Sequence, residues 1–595
     1  MNKTLLSALA LAPACAYSAD GSTAERAPNI VLIMCDDMGF SDLGCYGGEV
    51  QTPNIDRLAE QGCRFSQFKN TGRSCPSRAS LMTGYYAHET GLGWMTAVDE
   101  HRPGYRGQIA ANIPTLAEVM KQNGYATYMT GKWHLTVDGA FGKPNGSYPV
   151  QRGFDRHYGS LTGGSSYYTP VYVYDGLEPV NKFPDDYYYT TALTDSAVSF
   201  IRHHEAARPM FLYVAHYAPH IPLQAPQDRV NKCLPRYRVG YDVLRQQRFE
   251  RQKELGLFPD TLGLPIYDKE FSGNRPAWEE LTAEQRTKWT NDMATYAAMI
   301  EIVDDGIGEI VNALSEKGML ENTVFILLSD NGATDEAGFI GRLMADLSNT
   351  PYRNYKQKCF NGGTSSPLII TYGDPAKNKL AGKWTAQQAH IIDILPTCVD
   401  LADGTYPTTY KEGKALPGES LIPAIEGAEP HDRELYFEHQ GSCAVIEGDW
   451  KLVRGTKDED WQLVDLVNDP FEQEHALSRT TAKLMTTLRT DWQKWASTHN
   501  VMPLEDKPWG TRINYYKSLY PDQDGIDDVP TGISQIEDGT GALPLTRDEL
   551  RKMAQEHVSV YDLLGKRVND ISATPDGIYI VKTASSAAYK VHLSD

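Results

Sequence analysis

Four short apolar runs punctuate the chain, and each ends in polar, chemically capable side chains. Asn29-Ile-Val-Leu-Ile-Met-Cys35 ends in Asp36-Asp37, and Ala126-Thr-Tyr-Met-Thr130 runs into Gly131-Lys132-Trp133-His134. Met210-Phe-Leu-Tyr-Val-Ala215 leads to His216 and Ala218-Pro219-His220, and Val324-Phe-Ile-Leu-Leu328 ends in Ser329-Asp330-Asn331-Gly332. Runs this short and this apolar predict strands buried on both faces. Helix signals lie between them. Pro53 opens and Gly62 closes one helix, Pro114 and Gly124 punctuate another, and Pro76 reads as the first residue of a third. Thr282-Ala-Glu-Gln285 reads as a capping box opening a long helix, in one piece or two, that stops at Gly318. Strands alternating with helices predict an α/β fold with a large, mostly parallel central sheet flanked by helices. Ligands of such sheets sit outside the carboxyl ends of the strands, where Asp36-Asp37 and Asp330-Asn331 are expected to meet at one edge.

The rest of the chain changes character. Pro367-Leu-Ile-Ile-Thr371 predicts one more strand, while residues 225–280 are charged and irregular and read as an insertion. Beyond about 430, stretches at Glu438, Trp450–Val453 and Trp461–Leu466 predict short antiparallel strands, followed by a helix whose Leu484, Leu488, Trp492 and Trp495 form a core stripe. Residues 500–545 are rich in Pro, Asp and Gly and read as a wrapping extension or linker; Asp522–Asp528 reads as a turn, lacking the Glu that closes a calcium loop. The last stretch, from Val558, alternates and predicts a small β module similar to the C-terminal sorting domains of type IX secretion substrates. The expected division is 1–19, a leader; 27–430, the main α/β domain; 431–505, a smaller C-terminal α+β subdomain; 506–555, the extension; and 556–595, the β module.

A length of 595 residues allows a large core, and a net charge of −20 argues against nucleic acid and against a polybasic membrane anchor. An anionic ligand would have to be drawn in by a local cluster of Lys and Arg. Nine Cys show no zinc or disulfide-framework spacing and read as buried thiols. After the N-terminus no apolar stretch reaches the ~20 residues of a membrane span. Met1-Asn-Lys3 followed by apolar Leu5–Ala12 reads as a secretory signal cleaved near Ala16 or Ala19, so the chain is expected in the periplasm or beyond. Leu11-Ala-Pro-Ala-Cys15 is similar to a lipobox, with Ala12 where Leu is usual.

The chemistry gathers at Thr71-Gly-Arg-Ser-Cys-Pro-Ser-Arg-Ala-Ser-Leu-Met-Thr-Gly84. Pro76 places Ser74 just ahead of a helix N-terminus, where free N–H groups and the helix dipole favour an anion. Arg78, about one turn in, points back at the same spot. A capped helix with a surface Arg would read the same way on these residues alone. Two adjacent carboxylates at a buried strand end call for a cation or a solvated turn. Asp36, Asp37, Asp330 and Asn331 together would make a hard, oxygen-only site, suited to Ca²⁺ or Mg²⁺ better than to zinc. The tyrosines at 167–168, 172, 174 and 187–189 suit either stacking on sugar rings or packing a long insertion.

Ser74-Cys-Pro-Ser-Arg78 with Met82-Thr-Gly84 resembles the signature of type I sulfatases of the alkaline phosphatase superfamily. Asn29–Asp37, Gly131-Lys-Trp-His134, Ala218-Pro-His220, Ser329-Asp-Asn-Gly332 and Asp465-Leu-Val-Asn-Asp-Pro470 with Glu472 follow in the family order. Because Cys75 adjoins Pro76, the residue in the modified position is Ser74, which implies a serine-type enzyme matured to formylglycine by a radical maturation enzyme. The resemblance implies that Asp36, Asp37, Ser74, Asp330 and Asn331 bind Ca²⁺, and that Arg78, Lys132, His134, His220 and Lys356 complete a sulfate pocket. One departure is Asn361-Gly-Gly-Thr-Ser365, where the family often has Glu-Gly-Gly-x-Arg; it bears on the loop's conformation more than on the chemistry.

By the same resemblance the hydrated aldehyde attacks sulfur, His220 protonates the leaving sugar oxygen, and His134 takes a proton so that sulfate leaves. An unmodified serine ester has no second hydroxyl with which to collapse. The implied substrate is a sulfated carbohydrate, galactose or N-acetylhexosamine sulfate of host or algal glycans. Trp94, Tyr168, Glu336 and Arg353 are the candidate sugar contacts. Two other readings stand beside it. A serine-nucleophile phosphoesterase on the same fold would need paired His/Asp zinc sites, for which His is too sparse here. A catalytically inactive glycan-binding relative would not need competent residues at all ten expected positions, as this chain has.

Overall fold

The apolar run Asn29–Cys35 forms a strand buried at every position. The computed structural model describes residues 27–265, 275–336, 338–407 and 415–521 and the backbone of four further strands between 543 and 593. The leader at 1–19 with Cys15, and the acidic turn at Asp522–Asp528, lie outside the described residues.

Ten strands make the main sheet: β1 (Asn29–Cys35), β2 (Cys63–Phe65), β3 (Ala126–Gly131), β4 (Arg156–Ser160), β5 (Val173–Asp175), β6 (Glu178–Val180), β7 (Met210–Ala215), β8 (Thr323–Ser329), β9 (Leu368–Tyr372) and β10 (Lys383–Thr385). Their order is β10-β2-β9-β8-β1-β7-β3-β4-β5-β6. The four strands read from the sequence are the contiguous centre, β8-β1-β7-β3, and all are parallel. The antiparallel pairings β9 with β8, β2 with β9, β5 with β4 and β6 with β5 lie outside that centre.

Alternate residues of the central strands serve opposite faces. Val31, Ile33, Leu212, Val214, Phe325 and Leu327 pack with Trp289, Met293 and Ile307 of the long helix. Ile30, Leu32, Phe211, Tyr213, Ile326 and Leu328 pack with Cys75, Ala79 and Met82 of the Ser74 helix. Both faces are therefore dry, which is why the strands read as continuous apolar runs.

The long helix is one piece, Ala283–Glu316, capped reciprocally by Thr282 and Gln285. It has no proline, and buried side chains recur along it from Trp289 to Leu314. The charged stretch after 225 is less irregular than its composition suggests. It holds helices Gln227–Tyr237 and Tyr241–Glu254, which bury Val230, Cys233, Tyr237, Leu244 and Phe249. Some of the charge there is interior: Arg248 is 1 % exposed, with its guanidinium 2.8 Å from Asp42 and 2.7 Å from Glu49. Tyr167, Tyr174, Tyr187, Tyr188 and Tyr189 are buried, so packing is their role.

Four antiparallel strands at Glu434–His439, Ser442–Glu447, Trp450–Arg454 and Gln462–Asp465 form the second sheet. The helix Ala482–Thr498 packs on it through Leu488, Trp492 and Trp495, with Leu484 partly buried at the edge. The extension that follows contains a helix, Trp509–Leu519. Arg512 ties that helix to the main domain, 2.7 Å from Glu100 and 4.4 Å above the Trp94 ring. Four further strands, from Leu543–Leu545 to Ala588–Leu593, pair in one small sheet.

A buried network joins the two larger sheets. Lys69 and Lys451 both donate to Asn361 Oδ1 at 2.9 Å, and Lys451 pairs with Glu472 at 2.6 Å. Lys69 also donates to Ser365 Oγ at 2.7 Å, and the Asn361 N–H donates to Glu472 at 2.7 Å. The family's glutamate position thus holds a neutral amide, so Lys451 pairs with Glu472 while Lys69 is held by the uncharged Asn361 and Ser365. The loop is fixed all the same, as a short buried helix, Asn361–Thr364.

Burial, reinforced by Lys451 and opposed by Glu472, pushes Lys69 down to about 7. An unfolded lysine titrates near ~10.4. Between those values the unfolded chain binds more protons, so this group makes the fold more stable as pH rises from about 7 to ~10. Lys69→Met removes that term. Urea midpoints at pH 7 and pH 9 should differ less in the variant than in the parent, and equal differences would rule out a depressed Lys69.

Candidate active site

The register of β1 and β8 pairs Cys35 with Ser329, so Asp36-Asp37 and Asp330-Asn331 leave the sheet side by side. The Asp330 N–H donates to Cys35 O at 3.1 Å, and the Asp37 N–H to Asp330 Oδ1 at 3.3 Å. β3 delivers Lys132, whose N–H bonds Ala215 O at 2.8 Å, and then His134, at φ 54°. The loop after β7 delivers His220. Tyr167 Oη lies 3.0 and 2.8 Å from the carbonyls of Tyr217 and His220, its one O–H shared between them, and so braces that loop from behind.

Ser74 comes from the facing helix, Ser74–Thr83, with Arg73 as its N-cap. The helix begins two residues earlier than Pro76 suggests, and Ser74 sits in the first turn instead of ahead of it. Pro76 is still within the turn whose N–H groups lack helical partners, so it costs nothing there. All ten residues of this helix are buried.

The groups converge. Ser74 Oγ lies 3.1 Å from Asp36 Oδ1 and 3.2 Å from Asn331 Oδ1. Asn331 Nδ2 donates to Asp37 Oδ1 at 2.6 Å, which turns its oxygen toward Ser74. Lys132 Nζ is 2.5 Å from Asp36 Oδ2. Arg78 donates from Nε and Nη2 to Asp330 Oδ2 at 3.1 and 2.9 Å, and from Nη1 to the Lys132 carbonyl at 3.0 Å. Lys356 Nζ reaches Asp37 Oδ2 at 3.0 Å, Glu336 Oε2 at 3.1 Å and His220 Nε2 at 3.3 Å. His220 Nδ1 donates to the Ile221 carbonyl at 2.6 Å, which leaves Nε2 as the functional nitrogen.

Charge in this volume is uneven. Burial opposes ionisation of Asp36, but Lys132, His220, Arg78 and Lys356 outweigh it and hold the carboxyl well below its usual range. Burial and the Asp36 charge push Asp330 up, against Arg78 and Lys132. Burial, with Lys132 and Arg78, pushes His134 well down. Burial pushes the Cys75 thiol up to about 12, so a protonated thiol faces a neutral imidazole at 3.0 Å.

The donor set suits a hard divalent cation. One hydroxyl hydrogen on Ser74 faces two acceptor oxygens and can satisfy only one of them at a time. Ligand atoms of Asp36, Asp37 and His220 lie within 4.8 Å of one another. Carboxylates of Asp36, Asp37 and Asp330, the Asn331 amide oxygen and Ser74 Oγ offer oxygen alone on one side, which is Ca²⁺ or Mg²⁺ chemistry.

Nine of the ten main candidates form one bonded network, and His134 joins it through Cys75. Of the four candidate sugar contacts, Glu336 is in the network. Trp94 is not available: its Nε1 bonds Gln440 at 3.3 Å and its ring packs against Arg512 and Trp509. Arg353 is committed to Gln462 and the Glu472 carbonyl at 3.1 and 2.9 Å, holding the second sheet. Tyr168 packs 5.5 Å from Tyr188; its neighbour Tyr167 is the one that touches the His220 loop. Sequence reading missed Arg73, 2.7 Å from Glu336, although it immediately precedes Ser74. It also missed Cys75 as the partner of His134.

A family model described as Sulfatase matches residues 28–405. An arylsulfatase of Klebsiella aerogenes is 32 % identical over 71 % of this chain and 96 % of its own length. An N-acetylglucosamine-6-O-sulfatase of Bacteroides thetaiotaomicron is 27 % identical over 80 % of this chain and 86 % of its own. The crystal structure of Ps i-CgsB with k-i-k-neocarrahexaose is 24 % identical, covers 84 % of this chain and 99 % of that one, and superposes with a TM-score of 0.61.

Among the described residues Arg78 is the guanidinium bonded to Asp330, and both are fully buried. Arg78→Met should therefore lower the unfolding free energy by about 3–5 kcal/mol, the range for breaking a buried ion pair from one side. Denaturant unfolding checks it; a loss below ~1 kcal/mol would mean the pair is not structural.

Proposed function

The chain belongs to the sulfatase family, with the alkaline phosphatase-like fold, and on that premise we propose that it is an exported enzyme that hydrolyses sulfate esters of sugars, with Ser74 matured to formylglycine and a Ca²⁺ ion at the strand ends. The observation that carries this reading is the placement of Ser74 Oγ between Asp36 and Asn331, in the first turn of a buried helix and beside Lys132 and Arg78. Galactose or N-acetylhexosamine sulfates are the substrates put forward, in line with the activity named for the Bacteroides relative. Export rests on the leader read from Met1 to Ala19.

Each residue has a task in this scheme. Asp36, Asp37, Asp330, Asn331 and residue 74 would hold the cation. The hydrated aldehyde would supply the attacking oxygen, and the cation would lower its pKa and polarise the sulfuryl group. Lys132, Lys356, Arg78 and the helix N-terminus stabilise the charge that gathers on the sulfuryl oxygens. His220, in its doubly protonated form, would deliver a proton from Nε2 to the leaving oxygen, its ring fixed by the Nδ1–H bond to Ile221. His134, neutral and seated against Cys75, is the base for the second proton.

The first experiment is the mass of the Ser74 peptide from protein made in a host with the serine-type maturation enzyme. Loss of two hydrogens, with the aldehyde trapped by a hydrazine, is the expected result; an unmodified Ser74 would shift the reading to a phosphoesterase or a binding protein. Sulfate and phosphate esters assayed side by side should give sulfate release alone, lost on chelation and restored by Ca²⁺. Lys132→Ala should lower turnover about 10²–10³-fold, as removal of an oxyanion donor does. Near-parental turnover in that variant would refute the pocket assignment.

A further inference from the structure

The candidate site has a fully buried end and a less buried end. Asp36, Asp37, Arg78, Lys132 and Asp330 are 0 % exposed, His220 and Arg73 are 8 %, and the Glu336 side chain is 18 %. A sulfate ester enters with its sulfate toward the buried cations. Its leaving oxygen meets His220, so the ring that carries that oxygen lies toward the rim. In that pose Glu336 and Arg73, at the less buried end, would flank that ring.

The rim charges are already paired. Glu336 Oε1 is 2.7 Å from Arg73 Nη1 and Oε2 is 3.1 Å from Lys356 Nζ, while Gln357 Nε2 donates to Oε1 at 3.2 Å. Lys356 is also bonded to Asp37 at 3.0 Å. Arg73 Nε lies against Met95 Sδ at 3.4 Å, which closes its far side. A second anion on the substrate, next to the scissile ester, therefore meets a fixed carboxylate and two cations that this carboxylate already engages. A hydroxyl in the same place meets an acceptor with lone pairs to spare.

We propose that Glu336, held in place by Arg73, is a charge filter that restricts the enzyme to sulfate esters whose neighbouring ring positions are uncharged. Sugars carrying a second sulfate or a carboxylate beside the scissile group are disfavoured. This rests on the sulfatase reading above and adds the substrate class. Like charges about 6 Å apart at a partly solvated rim should separate the two kinds of substrate about tenfold in kcat/KM.

The test compares pairs on the matured full-length protein. Each of galactose 6-sulfate, N-acetylgalactosamine 6-sulfate and 4-nitrophenyl sulfate is run against its counterpart with one added anion: the 4,6-disulfates of the two sugars and the 2-carboxylate of the aryl ester. The ratio of kcat/KM within a pair does not depend on the fraction of enzyme matured, so it survives a variant that matures poorly. The parent should prefer the singly charged member about tenfold. Glu336→Gln should shift the ratio about tenfold toward the doubly charged member, because Arg73 loses its partner. Arg73→Gln should shift it the other way, because the carboxylate loses compensation. Damage to the fold would lower both members of a pair alike. Ratios that stay within about twofold, or move in the same direction in both variants, overturn the filter and leave the sulfatase reading intact. A parent that releases sulfate from none of these esters overturns the sulfatase reading, and the filter with it.

Discussion

The structure depends on holding buried charges of opposite sign at the ends of parallel strands. Asp36, Asp37, Asp330 and Glu336 face Arg73, Arg78, Lys132 and Lys356, and five of these eight are fully buried. Removing such ions from water costs several kcal/mol each, repaid only if every one finds a partner with good geometry. The partners come from β1, β3 and β8, from the facing helix and from two loops, so no local stretch can assemble the cluster. The pairing of Cys35 with Ser329 sets the level of both aspartate pairs, and slippage of one residue would send the side chains to opposite faces. The apolar runs that fill both faces of the sheet keep that register.

The cluster in turn explains unusual backbone nearby. Asp37 and His134 both sit at positive φ, 64° and 54°, which L-residues adopt at a cost. Both are pinned by backbone donors: Asp37 N–H to the Asp330 carboxylate, His134 N–H to the Leu161 carbonyl at 3.2 Å. His134 also needs space. A Cβ on Gly163 would lie 2.3 Å from its imidazole, so only glycine there lets the ring reach Cys75. These features position atoms instead of adding stability, as expected of a site that must be organised before substrate arrives.

How much of this was legible in the chain follows from what kind of constraint each feature obeys. The four central strands were readable because a strand dry on both faces must be apolar at every position, and their polar ends marked one edge of the sheet. The Thr282 cap and the Leu488–Trp495 stripe were readable because both are local, three- and four-residue patterns. The helices after 225 were not, because their charges mask a narrow apolar face and Arg248 is buried by partners some 200 residues away. Trp94 and Arg353 failed as sugar contacts for a similar reason. Both lie in loops that looked free, yet Gln440, Arg512 and Gln462 from the C-terminal part claim them. Glu336 lies beside the candidate site, but its grip by Arg73 was invisible in the sequence, since nothing local links residues 263 apart.

A protein of net charge −20 that binds an anion poses a further problem of scale. At physiological ionic strength the Debye length is about 8 Å, so most of the surface charge is screened from the pocket. What an entering anion feels is the nearest few groups, in a volume of low dielectric where each interaction is stronger than in water. Lys132, Arg78 and Lys356 lie within bonding distance of carboxylates that lower their net field, so they cannot draw anions from afar. Recognition must then be short-ranged, realised only once the ligand has displaced water and taken up hydrogen bonds from those same cations. That arrangement gives up electrostatic capture at a distance and gains discrimination, because an anion of the wrong shape or with an extra charge meets the carboxylates before it meets an unshared cation.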